Sequence, residues 1–171
     1  ELDHRPKGGA SAAIYDFAKG YAMLKSGRLR DAKGTLATLH DYVATTDDKI
    51  RFHLAKDVVG VLVNILAGEI QLTEGQTEAA IESFKQAVEL EDSLDYDEPE
   101  PLPFAARHWL GQALLDTDQP TKAEAVFRAE LKDHPHNGWS LFGLRQALAA
   151  QGVSDNSVND NFEQSLSLIH I

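Results

Sequence analysis

The chain contains no cysteine and a single methionine in 171 residues. Without thiols there is no disulfide framework, no thiolate zinc site and no cysteine nucleophile. Basic side chains are scarce as well, 16 Lys and Arg against 27 Asp and Glu, for a formal charge of −11. A chain of that sign repels phosphate backbones, whose binding rests on Lys and Arg displacing counterions, so no nucleic-acid partner is expected. Long apolar runs are missing too. The longest, Val58 to Gly68, is broken by Asn64 and is about half of the roughly 20 residues that a bilayer span needs, so no membrane span is expected. What remains is ordinary globular composition, 43% apolar and 25% charged, over a length that implies about one domain of roughly 150 residues. The first residue is Glu1 rather than Met and no basic-then-apolar leader follows. The chain therefore reads as a piece of a longer one, with residues 1–11 as its fragment end, and a soluble protein of this kind fits the cytoplasm or the periplasm equally.

Helical periodicity dominates what is there. In Ala80, Ile81, Phe84, Ala87 and Val88 the apolar positions form one stripe of a 3.6-residue helix, and no strand-like alternation is sustained. Short breakers at Ser26-Gly27, Glu74-Gly75-Gln76, Asp118-Gln119-Pro120 and His134 to Gly138 leave gaps of only a few residues, so successive helices pack as antiparallel hairpins. Eight helices are expected, near 12–26, 28–43, 55–74, 77–92, 103–117, 120–133, 138–151 and 155–168. Thr121-Lys122-Ala123-Glu124 has the pattern of a capping box. Pro99, Pro101 and Pro103 suit the start of the helix expected near 103.

Three segments superimpose. Gly20, Met23, Gly27, Ala32 and Leu36 share relative positions with Gly68, Gln71, Gly75, Ala80 and Phe84, and with Gly111, Leu114, Asp118, Ala123 and Phe127. A Gly or Ala where two helices cross lets the backbones approach, and the following aromatic or Leu fills the space between hairpins.

His108-Trp109-Leu110-Gly111, Ala123, Phe127 and Pro135, with Trp139-Ser140-Leu141-Phe142-Gly143 opening a fourth copy, resemble the tetratricopeptide repeat and its W-x2-L-G-x2-Y…A-x3-F…P pattern. The resemblance covers roughly residues 12–165, in pairs near 12–43, 55–92, 103–135 and 138–165. It implies an all-α fold, a right-handed α-α superhelix of stacked hairpins with a concave face. Departures are visible: Gly20, Gly68 and Gly111 are spaced by 48 and 43 residues against about 34 in the family, so insertions follow the first and second pairs. Gly143 follows Gly111 by 32, and the register of the fourth pair is left open. Tyr96 to Pro99 and Asn137 to Leu144 are also similar to segments of bacterial repeat proteins, a likeness that implies no defined chemistry. The last six residues, Leu166 to Ile171, resemble the translated transposon-end adapter of sequencing libraries and are set aside as an artefact.

Catalytic patterns are scarce. The nucleophile elbow needs G-x-S-x-G after a strand, and Ser140 has neither the spacing nor the element. No Gly-rich phosphate loop, Walker lysine or H-E-x-x-H helix occurs. His134-Pro135-His136 offers two imidazoles without a third nearby ligand and reads as a solvated turn. Seven carboxylates between Glu89 and Glu100, with no Lys or Arg between Lys85 and Arg107, could face a cation or a basic partner. The calcium-loop pattern fails there at Pro99, and acidic runs are usually solvated. No enzyme, no cofactor and no metal is expected.

In the family that the repeats resemble, the first helix of each pair lines the groove. The positions so implied are Phe17, Tyr21, Ile65, Glu69, Arg107, His108 and Gln112. Aromatic anchors beside a few polar groups suit a peptide, so a noncatalytic scaffold binding a peptide or partner protein is the leading expectation. The carboxylate clamp of chaperone-binding repeats is not implied, because Phe17 and Tyr21 stand at its first-helix positions. The alternative is a regulatory or sensor region of a larger enzyme whose catalytic domain lies upstream.

Overall fold

The computed structural model describes residues 4–167, and its regular structure is helical: α1 (Gly9–Lys25), α2 (Leu29–Thr45), α3 (Ala55–Thr73), α4 (Thr77–Asp92), α5 (Arg107–Asp116), α6 (Pro120–Asp133), α7 (Gly138–Ala150) and α8 (Asn156–Ser167). This is the all-α helical repeat that the resemblance implies. Strands among the described residues are limited to β1 (Lys49–Ile50) and β2 (His53–Leu54), an antiparallel pair in the insertion between α2 and α3. Leu166 and Ser167 close α8, and the other four residues of the adapter-like tail lie outside the described residues. The chain divides into two compact units, Glu1–Ala106 and Arg107–Ile171. The first contains α1 to α4 and the small sheet, the second α5 to α8.

In the first unit α3 is the central helix, packed on α1, α2 and α4. Its run from Val58 to Leu66 is buried apart from Asn64, which turns its amide back to the Gly60 carbonyl at 2.9 Å. A helix apolar on all sides has to sit inside. The outer helices bury only a stripe: Ala32 and Leu39 on α2, and Ala80, Ser83, Phe84 and Ala87 on α4. In the second unit α6 buries Ala123, Phe127 and Glu130, and α7 buries Leu141, Gly143, Leu144, Ala147 and Leu148.

The repeated small residues act where the helices cross. A Cβ added at Gly68 would come within 2.4 Å of the Phe84 ring; one at Gly111 or at Gly143 would come within 2.3 Å of the Phe127 ring. Each phenylalanine therefore lies directly on bare backbone of the neighbouring helix. In the first hairpin the equivalent of Gly68 is Gly20, and its neighbours are Thr35 and Leu66 rather than Leu36. The β-branched Thr35 is shorter than a ring, so a side chain from α3 fills the remainder.

Four helix ends are built alike. Gly27, Gly75, Asp118 and Gly152 have φ of 77°, 75°, 57° and 71°. In each case the next residue's N–H donates to the carbonyl five positions back: Arg28 to Met23, Gln76 to Gln71, Gln119 to Leu114 and Val153 to Leu148. This is the glycine-type C-terminal cap that lets a helix reverse in few residues. Asp118 stands in it without the glycine that the conformation favours.

Two sequence expectations are corrected. Thr121 and Glu124 do not form a capping box: α6 starts at Pro120 after Gln119, with no side-chain cap. Thr121 Oγ1 and Glu124 Oε2 instead both meet the side-chain amide of Gln151, at 3.1 and 2.8 Å. Helix α5 starts at Arg107 rather than near 103, and the residues before it are held by contacts of their own. The linking segment buries Leu102, Ala105 and Ala106, and the Ala106 N–H donates to Glu91 Oε2 at 2.9 Å.

Gly68→Ala is expected to lower stability by about 1–3 kcal/mol through overpacking against Phe84. Gly34→Ala, on a helical stretch with nothing within 4 Å of the added carbon, should raise it by about 0.5–1 kcal/mol. Urea unfolding of both variants checks the pair, and equal effects would mean that the ring contact is not tight. Asp118→Gly should stabilise by up to about 1 kcal/mol, read as a higher thermal midpoint.

Candidate functional site

The first helices of adjacent hairpins, α1 and α3, touch in the first unit. Phe17, Tyr21 and Lys25 recur every four residues and so share one face of α1; Ile65 and Glu69 are related in the same way on α3. Tyr21 Oη donates to Glu69 Oε1 at 3.0 Å, and Lys25 Nζ donates to Glu69 Oε2 at 2.6 Å. The ammonium also lies 5.1 Å from the centre of the Tyr21 ring, within the range of a cation–π attraction. Phe17 packs 5.9 Å from Tyr21 at a 45° tilt. Burial alone would lower the Lys25 pKa; the bond to Glu69 and its charge outweigh that and raise it above the ordinary lysine value, so the ammonium stays charged across the physiological range.

Of the groove candidates in this unit, Tyr21 and Glu69 are therefore brought together, and Tyr21 remains partly exposed. Phe17 lies at the edge of the core, and Ile65 is 0% exposed. Ile65 is therefore a core residue and not a groove residue in this conformation, because α3 is enclosed by three helices where an outer helix would have a free face. Lys25 was not among the expected residues, although its spacing of four from Tyr21 marked it as part of the same face.

The second unit carries a polar cluster. Arg107 Nη1 lies 3.7 Å from Glu130 Oε2 and His134 Nδ1 lies 2.6 Å from Glu130 Oε1, with the Glu130 side chain almost wholly buried. His108 Nε2 shares a hydrogen bond of 2.9 Å with Ser140 Oγ. The Ser140 N–H donates to Asn137 Oδ1 at 3.1 Å, which caps α7. Ser140 has no exposed surface, so its hydroxyl is a buried bridge between α5 and α7, closed to any substrate. Gln112 is exposed and donates to Asp116 Oδ1 at 2.8 Å. Arg107 and His108 open α5 and are partly exposed, and Gln112 lies one turn beyond His108 in the middle of the helix. Glu130, Asn137 and His134 were not expected here; only the spacing of four between Glu130 and His134 hinted at their pairing. His134 is engaged with Glu130 while His136 is exposed, so the two imidazoles of that turn do different things.

Burial lowers the pKa of His108 below the ordinary imidazole value, and nearby His134 adds to this; the Glu130 charge and a hydrogen bond to Asn137 work in the opposite direction without overcoming it. Unfolded, His108 takes its proton near pH 6.5; folded, only at lower pH. As pH falls below about 6.5 the unfolded state therefore binds more protons and stability declines, levelling once the folded pKa is passed. His108→Gln is expected to make the loss of stability between pH 7 and 5.5 smaller than in the parent protein, measured by urea unfolding at both pH values. An unchanged loss would show that burial does not bias this imidazole.

Residues 63–93, the second half of α3 together with α4 and one residue beyond, match the family model described as tetratricopeptide repeat. No curated protein and no solved structure matches the chain. Among the described residues no helix is long and apolar enough to cross a membrane.

Proposed function

We propose that this tetratricopeptide-repeat protein is a noncatalytic interaction scaffold that captures a peptide or partner protein on the first helices of its hairpins. Repeats of this kind generally mediate protein–protein contacts, and the match at residues 63–93 lies on the hairpin that contributes Glu69. The observation that carries the reading is the Tyr21–Glu69–Lys25 cluster. A half-exposed aromatic ring is held in place by a carboxylate from the next first helix, with an ammonium beside it. A ring fixed in advance loses little conformational freedom when a ligand packs on it, which is what makes tyrosine an effective anchor. In the second unit, taken by itself, Arg107, His108 and Gln112 are the α5 residues proposed for the same role. With a net charge of −11, a ligand carrying Lys or Arg beside an apolar side chain associates faster than an acidic one, and added salt slows it.

A photo-cross-linking amino acid placed at position 21 or 112, with the protein expressed in its native cell, is expected to trap a protein partner. The same group at position 82 or 128, exposed on the second helices α4 and α6, should not. Tyr21→Ala should weaken the trapped complex at least tenfold, or about 1.4 kcal/mol. Cross-links confined to positions 82 and 128 would overturn the groove reading while leaving the repeat fold intact.

A further inference from the structure

The outer side of the α7–α8 hairpin, in the second unit, is apolar and open. Trp139, Phe142, Gln146 and Ala149 recur at steps of three and four residues, so they form one stripe along α7. All four are exposed, Trp139 by 75% and Phe142 by 43%. Beside this stripe a cleft of about 350 Å³ opens between the two helices, lined by Phe142, Gln146 and Ala149 from α7, by Val153 from the turn, and by Val158 and Asn159 from α8. Three of the four stripe residues thus share the wall of one cavity. The half-buried Phe162 of α8 packs on Phe142, with ring centres 5.8 Å apart. Arg145, the single charged residue of α7, also lines the cleft. Its guanidinium lies 4.5 Å from the centre of the Phe162 ring and 3.7 Å from Glu163, whose side chain is 70% exposed.

Within the same unit a surface of this kind is covered by a helix. Helix α7 packs on α5 and α6, and its backbone at Gly143 lies against the same Phe127 ring that covers Gly111. On α5, Leu110 and Leu114 stand one before and three after Gly111, and both are buried. On α7, Phe142 and Gln146 stand one before and three after Gly143, and both are exposed. A repeat hairpin whose outer side is meant for water makes that side polar; this one carries a tryptophan and a phenylalanine there. The stripe is also distinct from the first-helix face described above. The pairs Phe17 and Tyr21, Ile65 and Glu69, and His108 and Gln112 stand three before and one after their glycines. The α7 residues at those positions are Ser140 and Leu144, both buried.

We infer that the α7 stripe and its cleft form a second docking surface, for an amphipathic helix of a partner protein that carries Asp or Glu beside its apolar face. The helix lies along Trp139, Phe142 and Ala149 much as α7 lies on the hairpin before it, and one aliphatic or aromatic side chain enters the cleft. Its carboxylate meets Arg145, whose planar fork of donors suits that group. Asp155, the acid in the cleft wall, is engaged at the start of α8, where its Oδ1 accepts from the Ser157 and Val158 N–H groups at 3.0 and 3.3 Å. Arg145 therefore sets the sign of the surface, and the occupant it selects is opposite in charge to the basic ligand of the first-helix face.

A phage library of host helices randomised along one face, selected on the intact chain, tests this directly. The expected result is a class of binders with large apolar residues at helical spacing and an Asp or Glu beside them. Their capture should fall by about tenfold or more on Trp139→Ser and on Ala149→Arg, both at exposed positions, while circular dichroism shows unchanged helix content. On Arg145→Glu the same helices should be lost, and sister helices with Lys in place of the acid should be captured instead, an exchange that a loss of packing alone does not produce. The inference is overturned if no helix distinguishes the parent from the Trp139 and Ala149 variants, or if the distinguishing class is basic on the parent. Binders lost on Tyr21→Ala but kept on the α7 variants would belong to the first-helix face and reject this one. Sedimentation that shows the parent self-associating and Trp139→Ser monomeric would assign the stripe to a second copy of the chain and likewise reject the partner helix.

Discussion

A phenylalanine ring lying on the bare backbone of the neighbouring helix is the contact on which both units depend. Phe84 covers Gly68, and Phe127 lies against both Gly111 and Gly143. The geometry permits no compromise: a methyl group at any of the three glycines would stand inside the ring's van der Waals surface, and without the ring the close crossing would be a void. Interiors pack at crystal-like density, so a helix pair brought this close stays in one crossing arrangement. The short turns between helices follow from the same demand. Two helices that nearly touch must reverse within a few residues, and the left-handed caps at Gly27, Gly75, Asp118 and Gly152 provide that reversal.

Charge is handled with similar economy. Three carboxylates are buried among the described residues, Glu69, Asp97 and Glu130, and each lies between two polar side chains. Glu69 has a Lys25 ammonium and the Tyr21 hydroxyl close by, Asp97 has Arg51 and His53, and Glu130 has Arg107 and His134. A buried charge without such neighbours would be costly, while a paired one contributes little net stability and a good deal of geometric definition. In this protein the pairs stand beside partly exposed aromatic or basic groups and fix the positions of those groups.

The insertions use the same device outside the repeats. A segment of nine residues between α2 and α3 would be free to move if it were only a linker. The hairpin and the Arg51–Asp97 ion pair tie it to the segment after α4. Departures from the nominal spacing of the repeat are therefore structured parts of the first unit, and they carry apolar side chains that the repeat itself does not provide.

Much of the architecture could be read directly from the sequence. The period of the apolar residues, the Gly–Ala–Phe positions shared by three segments and the short breakers between them determine eight helices and their hairpin pairing, because each is a local property of spacing or of φ preference. The face shared by Phe17, Tyr21 and Lys25 is legible for the same reason. What only the tertiary structure decided depends on neighbours distant in the chain. Ile65 has the spacing of a groove residue, yet it is enclosed because α3 is surrounded by α1, α2 and α4. Thr121 and Glu124 have the sequence of a cap, yet they turn to Gln151 on α7's C-terminal end. Asp97 is one carboxylate among seven in its run, and its burial follows from Arg51, 46 positions earlier, reaching across from a hairpin too short to show any alternation. Composition and periodicity report a residue's own preferences; which of its faces is covered, and by which charge, is settled only when the helices are stacked.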